Sequence, residues 1–171
     1  MLSYNMRPQD IVVLLKIISY KDKKWLNKEL ATDLYISTAE VSNSLKRSTV
    51  TGLVDNEKKK VRIQALQDFI IYGLPYVFPQ LPGGIARGLP TAHSHPFMKH
   101  QIISEELYVW PDAESDLRGF SIEPLYPGAV KAAKKDHRLY LMLAMVDVLR
   151  LGKAREKKIA ITELEKLFRE S

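Results

Sequence analysis

Asn27–Val54 reads NKELATDLYISTAEVSNSLKRSTVTGLV, and its spacing predicts two short helices joined by a tight corner. Leu30, Ala31 and Leu34 fall on one face of the first segment, because residues three and four apart stack on the same side of a helix. Val41 and Leu45 repeat that spacing on the second. Tyr35-Ile36 makes the corner, and Ser37 with Glu40 has the form of a capping box, which satisfies backbone donors at a helix start. Ala31 is small enough to let the two helices cross closely. The outward positions of the second helix are Thr38, Ser42, Asn43, Lys46 and Thr49. Hydroxyl, amide and ammonium groups on one exposed face are what a helix needs to read base edges in a major groove.

Glu29-Leu30-Ala31, Ser37-Thr38-Ala39-Glu40-Val41-Ser42 and Leu45-Lys46-Arg47, closing on Gly52-Leu53-Val54, resemble the helix-turn-helix of winged bacterial transcriptional regulators such as the MarR and GntR groups. The resemblance implies a regulator that binds double-stranded DNA. Thr38, Ser42, Asn43 and Lys46 are then expected at bases. Arg47, Lys58, Lys59, Lys60 and Arg62 are expected at phosphates, which attract cations whatever the sequence. The other use of such a fold is to hold a protein partner, as an antitoxin-like or complex-assembly component would.

Composition sets the outer bounds. A chain of 171 residues is one domain of ordinary size, or a small one with an extension. There is no cysteine, which excludes disulfides and thiolate chemistry. No apolar run approaches the ~20 residues that span a bilayer. MLSYNMRPQD has no signal-peptide core, so a soluble cytoplasmic protein is expected. Residues 1–62 carry 12 Lys/Arg against 7 Asp/Glu, residues 63–127 carry 3 against 7, and residues 128–171 carry 11 against 6. Positive charge therefore gathers at the helix pair and the C-terminal end, which suits contact with a polyanion over part of the surface.

The expected fold is mainly α with a small β-region. Residues 1–92 are expected to form a winged helix-turn-helix unit, and residues 93–171 a β-segment and C-terminal helices, either as a separate part or within the same compact unit. Pro8 and Asp10 suit the first turn of an apolar helix running to Tyr20. Trp25-Leu26 packs where the next helix begins. After Val54 a winged helix continues into two strands, whereas DNEKKKVR at 55–62 is a basic run and Val61–Gly73 has helical spacing. An inserted helix at 61–73 and a displaced wing are therefore expected. The wing would be a hairpin of residues 76–92 turning at Pro82-Gly83-Gly84, with Arg87 near its tip and able to enter a minor groove. Pro75, Pro79 and Pro90 count against it, since proline cannot donate to a sheet ladder.

His93 and His95 could ligate a metal with His100, Asp112 or Glu105 as a third ligand, as in a metal-responsive sensor. AHSHPFMKHQ reads more plainly as an exposed loop, and neither a metal nor a cofactor is expected. Leu107–Trp110 and Arg118–Leu125 read as strands around an acidic turn of Asp112, Glu114 and Asp116. Three helices close the chain: Ala129–Lys135, then His137–Leu151 capped by Asp136, then Arg155–Phe168. The second is apolar on nearly every side and the third amphipathic, so either packing inside the chain or a homodimer through these helices fits. The phosphate-loop, dinucleotide, nucleophile-elbow and His-Glu-x-x-His motifs are missing, and no enzyme is expected.

Overall fold

The computed structural model describes residues 4–55, 57 and 59–171. The N-terminal part is three helices, α1 (Pro8–Ser19), α2 (Asn27–Leu34) and α3 (Thr38–Val50). Proline stands at the first position of α1, where its missing N–H is no loss. The corner after α2 forms because Tyr35 takes a left-handed conformation (φ 58°), and the Ile36 N–H returns to the Ala31 carbonyl at 3.1 Å. Ser37 and Glu40 make the reciprocal cap of α3: Glu40 N–H donates to Ser37 Oγ and Ser37 N–H to Glu40 Oε2, each at 3.1 Å. Gly52 ends that helix with φ 81°, a conformation that favours glycine.

A two-stranded hairpin follows at once, β1 (Val54–Asp55) paired antiparallel with β2 (Lys60–Val61). Arg62 N–H closes its base on the Leu53 carbonyl at 2.8 Å. Lys60 of the basic run thus lies on the second strand of a hairpin, and the expected hairpin at 76–92 does not form. Its first side forms no strand: α4 (Ile63–Tyr72) is followed by α5 (Leu74–Val77), and residues 78–84 carry no regular element. Pro75 lies in the first turn of α5, where proline is favoured. The helix expected at 61–73 is present as α4.

Residues 85–90 form β3 (Ile85–Pro90), which pairs with strands much further along, β4 (Tyr108–Pro111) and β5 (Arg118–Ser121). Its first half runs antiparallel to β5 through Ile85↔Phe120, and its second half antiparallel to β4 through Leu89↔Trp110. β4 and β5 pair in parallel through Tyr108↔Phe120, so they are not the simple returning pair that the acidic turn suggests. Gly88 is required at the crossing, since a Cβ there would stand 2.0 Å from the Trp110 carbonyl oxygen. The division at residue 92 runs through this three-stranded sheet.

A single 3₁₀ turn (Ala92–Ser94) and the short α6 (Pro96–Lys99) follow β3, and α7 (Ala129–Lys135), α8 (His137–Leu151) and α9 (Ala154–Arg169) complete the chain. One hydrophobic cluster takes side chains from α1, α2, α4, β4, α7, α8 and α9. α8 is buried along almost its whole length, and the apolar face of α9 lies in the same core through Ala160, Leu164, Leu167 and Phe168. Their apolar faces are spent inside the chain, which leaves little of them to form the dimer contact considered from sequence. No helix of the described residues is long and apolar enough to cross a membrane.

Candidate nucleic-acid interface

Val41, Ser44, Arg47 and Ser48 are the buried face of α3. Two serines on this face keep the helix close to its neighbours, because small side chains let backbones approach. The opposite face is uncovered. Thr38, Asn43 and Lys46 are exposed, and Ser42 is half-buried with its hydroxyl accepting a 3.3 Å hydrogen bond from Asn27 Nδ2.

Beside this face a cleft of about 460 Å³ opens between α3 and the β1–β2 hairpin. Ser42, Asn43 and Lys46 line it from the helix, Lys59 from the hairpin, and Trp25 and Asn27 from the start of α2. The Lys59 ammonium stands 5.9 Å from the Trp25 ring centroid, within cation–π range. The structure therefore gathers three of the four expected base readers with two of the expected phosphate contacts, Lys59 and the largely buried Arg47. Lys60 and Arg62 are also exposed, on and just after β2; Lys58 lies outside the described residues. Asn27, and Trp25 in this role, are partners that the sequence does not single out. Their placement depends on where the hairpin folds back, which no local pattern reveals.

Arg47 is a correction. Only 7% of it is exposed, and its guanidinium grips the fully buried Asp10 of α1 through Nε–Oδ2 (2.8 Å) and Nη2–Oδ1 (2.6 Å). That bidentate bond holds the guanidinium above its ordinary pKa and commits most of the buried side chain to the core. Arg47 lies three residues after Ser44, on the buried side of the helix. Arg87 is exposed on β3, opposite Arg118 of β5, and so belongs to the other sheet and not to the hairpin beside α3.

The histidine segment is also corrected. His93 and His95 are 7% and 9% exposed and do not form the open loop expected. His93 Nε2 faces Glu156 Oε1 of α9 at 3.0 Å, while its Nδ1 is buried without a partner. Burial raises the Glu156 carboxyl, but the Lys153 amide and His93 outweigh it and hold the group below its usual range. His95 accepts from the Phe97 N–H at 3.1 Å and packs edge-on against Tyr140 at 4.3 Å. Burial lowers its pKa to about 4. His100 stands exposed at the end of α6, and no group of three or more possible metal ligands comes together among the described residues. The acidic turn is a surface tie, with Lys134 of α7 bound to Asp112 at 2.6 Å and Glu114 at 3.3 Å.

Compared with known proteins, the chain matches no family model, no curated protein and no solved structure.

Proposed function

We propose that this chain binds double-stranded DNA with sequence specificity, as a cytoplasmic winged helix-turn-helix regulator of transcription and not as an enzyme. In this reading α3 enters the major groove and the β1–β2 hairpin is the wing. The supporting observation is the uncovered face of Thr38, Asn43 and Lys46 with a lysine-bearing hairpin directly beside it. A helix about 10–12 Å across fits a groove about 12 Å wide. Asn43 is the best-placed reader, since an exposed amide can bond an adenine edge twice. Lys46, Lys59, Lys60 and Arg62 supply charge that any sequence attracts.

The test is a mobility-shift selection from fragmented genomic DNA with the full chain, followed by sequencing of the bound pool. Enrichment of particular fragments, weakening steeply as salt rises, supports the reading. A pool no different from the input sinks it.

A second reading, a protein-interaction module, is favoured by one separate observation. Residues 69–86 contain no charged residue, and within them Tyr72, Tyr76, Val77, Leu81 and Ile85 are exposed by 54–85%. Interface centres are depleted in charge and rich in aromatic side chains. Sedimentation of the purified chain bears on this: a second copy on that face gives a dimer that Tyr76→Glu dissociates. A dimer also agrees with the DNA reading, because two-fold regulators read two half-sites.

A further inference from the structure

A second cleft, of about 600 Å³, lies away from α3, between the start of α1 and the connection from β5 to α7. That volume falls among small-molecule sites. Arg7 and Gln9 line one side, and Glu123, Leu125 and Tyr126 the other. Four prolines, at 8, 111, 124 and 127, complete the walls. Proline rings offer apolar surface with no N–H, and their stiffness lowers the ordering cost of binding.

Two polar side chains in this cleft, Arg7 and Gln9, are unmatched. The Arg7 backbone N–H is held by Asp10 Oδ2 at 2.8 Å, yet its exposed guanidinium has no partner among the described residues. The Gln9 side-chain amide nitrogen is buried and donates to no group among the described residues. Glu123 shares the cleft but forms no ion pair with Arg7. A forked cation and an idle amide donor above apolar walls call for a planar anion on a short hydrocarbon body.

We propose that this cleft binds a small carboxylate with an apolar chain, its carboxyl group on Arg7 and Gln9 and its chain against the prolines and Leu125. Two sources share that chemistry, a simple aliphatic acid and an apolar amino acid, and Glu123 separates them because only the second brings an ammonium group for it. The walls are also tied to the helix pair. Gln9 precedes Asp10, which Arg47 of α3 grips, and the Tyr126 hydroxyl donates to the Leu34 carbonyl of α2 at 2.6 Å. As an effector site the cleft rests on the DNA reading above; as a binding site it does not.

The experiment is an NMR titration of the isotopically labelled full chain without DNA, so its failure and that of the DNA reading are distinct. The probes are hexanoate, norleucine (the same chain with an α-ammonium group) and uncharged hexanamide. Saturable shifts confined to residues 7–9 and 121–130 are expected with hexanoate or norleucine, and none with hexanamide. Arg7→Met, at an exposed position, should weaken that binding about tenfold or more. Glu123→Gln should strengthen hexanoate and weaken norleucine. Shifts with neither acid, shifts centred elsewhere, equal shifts with hexanamide, or full binding by Arg7→Met would each overturn the proposal.

Discussion

Replacing Arg47 with alanine tests whether this cation belongs to the core or to the DNA. Asp10 is 0% exposed and receives two guanidinium bonds, at 2.8 and 2.6 Å. Two unit charges ~4 Å apart attract by about 4 kcal/mol at an effective dielectric near 20, and desolvation of both groups offsets much of that. Removing one partner is not symmetrical with removing both. The carboxylate of Asp10 stays in a site closed to solvent, with only the Arg7 N–H left to it among the described residues, and breaking a buried pair in this way costs about 3–5 kcal/mol. For a chain of this size each kcal/mol lowers Tm by about 2–4 °C, so a fall on the order of 10 °C is expected. Urea unfolding followed by circular dichroism gives the free energy directly. The double variant Asp10→Leu/Arg47→Met should recover most of the loss, because two apolar groups leave no charge behind. A loss below about 1 kcal/mol for Arg47→Ala would refute the reasoning, as that is the scale of an exposed pair. So would a loss that high salt abolishes.

Asn43→Ala should cost about 1–3 kcal/mol at the preferred DNA site and relax its specificity there, measured by fluorescence anisotropy against matched and mismatched duplexes. Lys59→Ala with Lys60→Ala should instead weaken all duplexes alike and reduce the slope of log K against log salt by about 2; equal effects from both changes would count against the division of roles. His95 carries a pH signature. Its folded pKa is lowered to about 4 by burial against about 6.5 in an unfolded chain, so the unfolded state binds the extra proton first as pH falls. Its contribution is complete above pH ~6.5 and is lost toward pH ~4, amounting to about 2 kcal/mol between pH 7.5 and 5.0. Paired unfolding curves at those two pH values should show that loss shrink in His95→Phe, and an unchanged pH slope would exclude the assignment. Gly52→Ala meets no atom within 4 Å but must hold φ at 81°, so it should destabilise by about 1–2 kcal/mol in thermal unfolding. Gly52→Asn should cost less, since asparagine tolerates that region.

What the sequence disclosed follows from the range of the forces involved. α2, its corner and α3 are specified by residues within a few positions of one another: Leu30 with Leu34, Ser37 with Glu40, and Gly52 past the end. α7, α8 and α9 are legible for the same reason, down to Asp136 capping α8 through the Leu139 N–H at 3.0 Å. The β-region is not local. β3 finds its partners about 20–35 residues downstream, and short strands interrupted by proline carry little alternation from which to infer a register. The hairpin after α3 was hidden for a different reason, since a run of lysines on two-residue strands looks the same as a solvated linker. The interface shows the same split. Thr38, Asn43 and Lys46 are legible as an outward stripe, but the inward turn of Arg47 is not, because a cation enters a core only where a buried partner meets it. Burial of Asp10 beneath it depends on a contact 37 residues away.

Polar ties of this kind explain why α1 is apolar all round and still holds one orientation. Hydrophobic burial alone would let such a helix rotate with little penalty, because every face is equally suited to the core. Its direction is fixed at both ends by ions. Asp10 near the start is held by Arg47 of α3, and Lys16 near the end reaches Asp136 at 2.8 Å, where Ser19 donates to the same carboxylate oxygen at 2.8 Å. Burial works to raise the Asp136 carboxyl, yet Lys16, the Leu139 amide and Ser19 together hold it below its usual range. One residue thus caps α8 and anchors α1, so the helix that carries α3 is coupled to the C-terminal helices through a charge that would be costly to leave unpaired. Any movement of α3 relative to α8 must carry α1 with it or break one of these pairs. On that account α3 and the C-terminal helices should lose amide-exchange protection together rather than in separate steps.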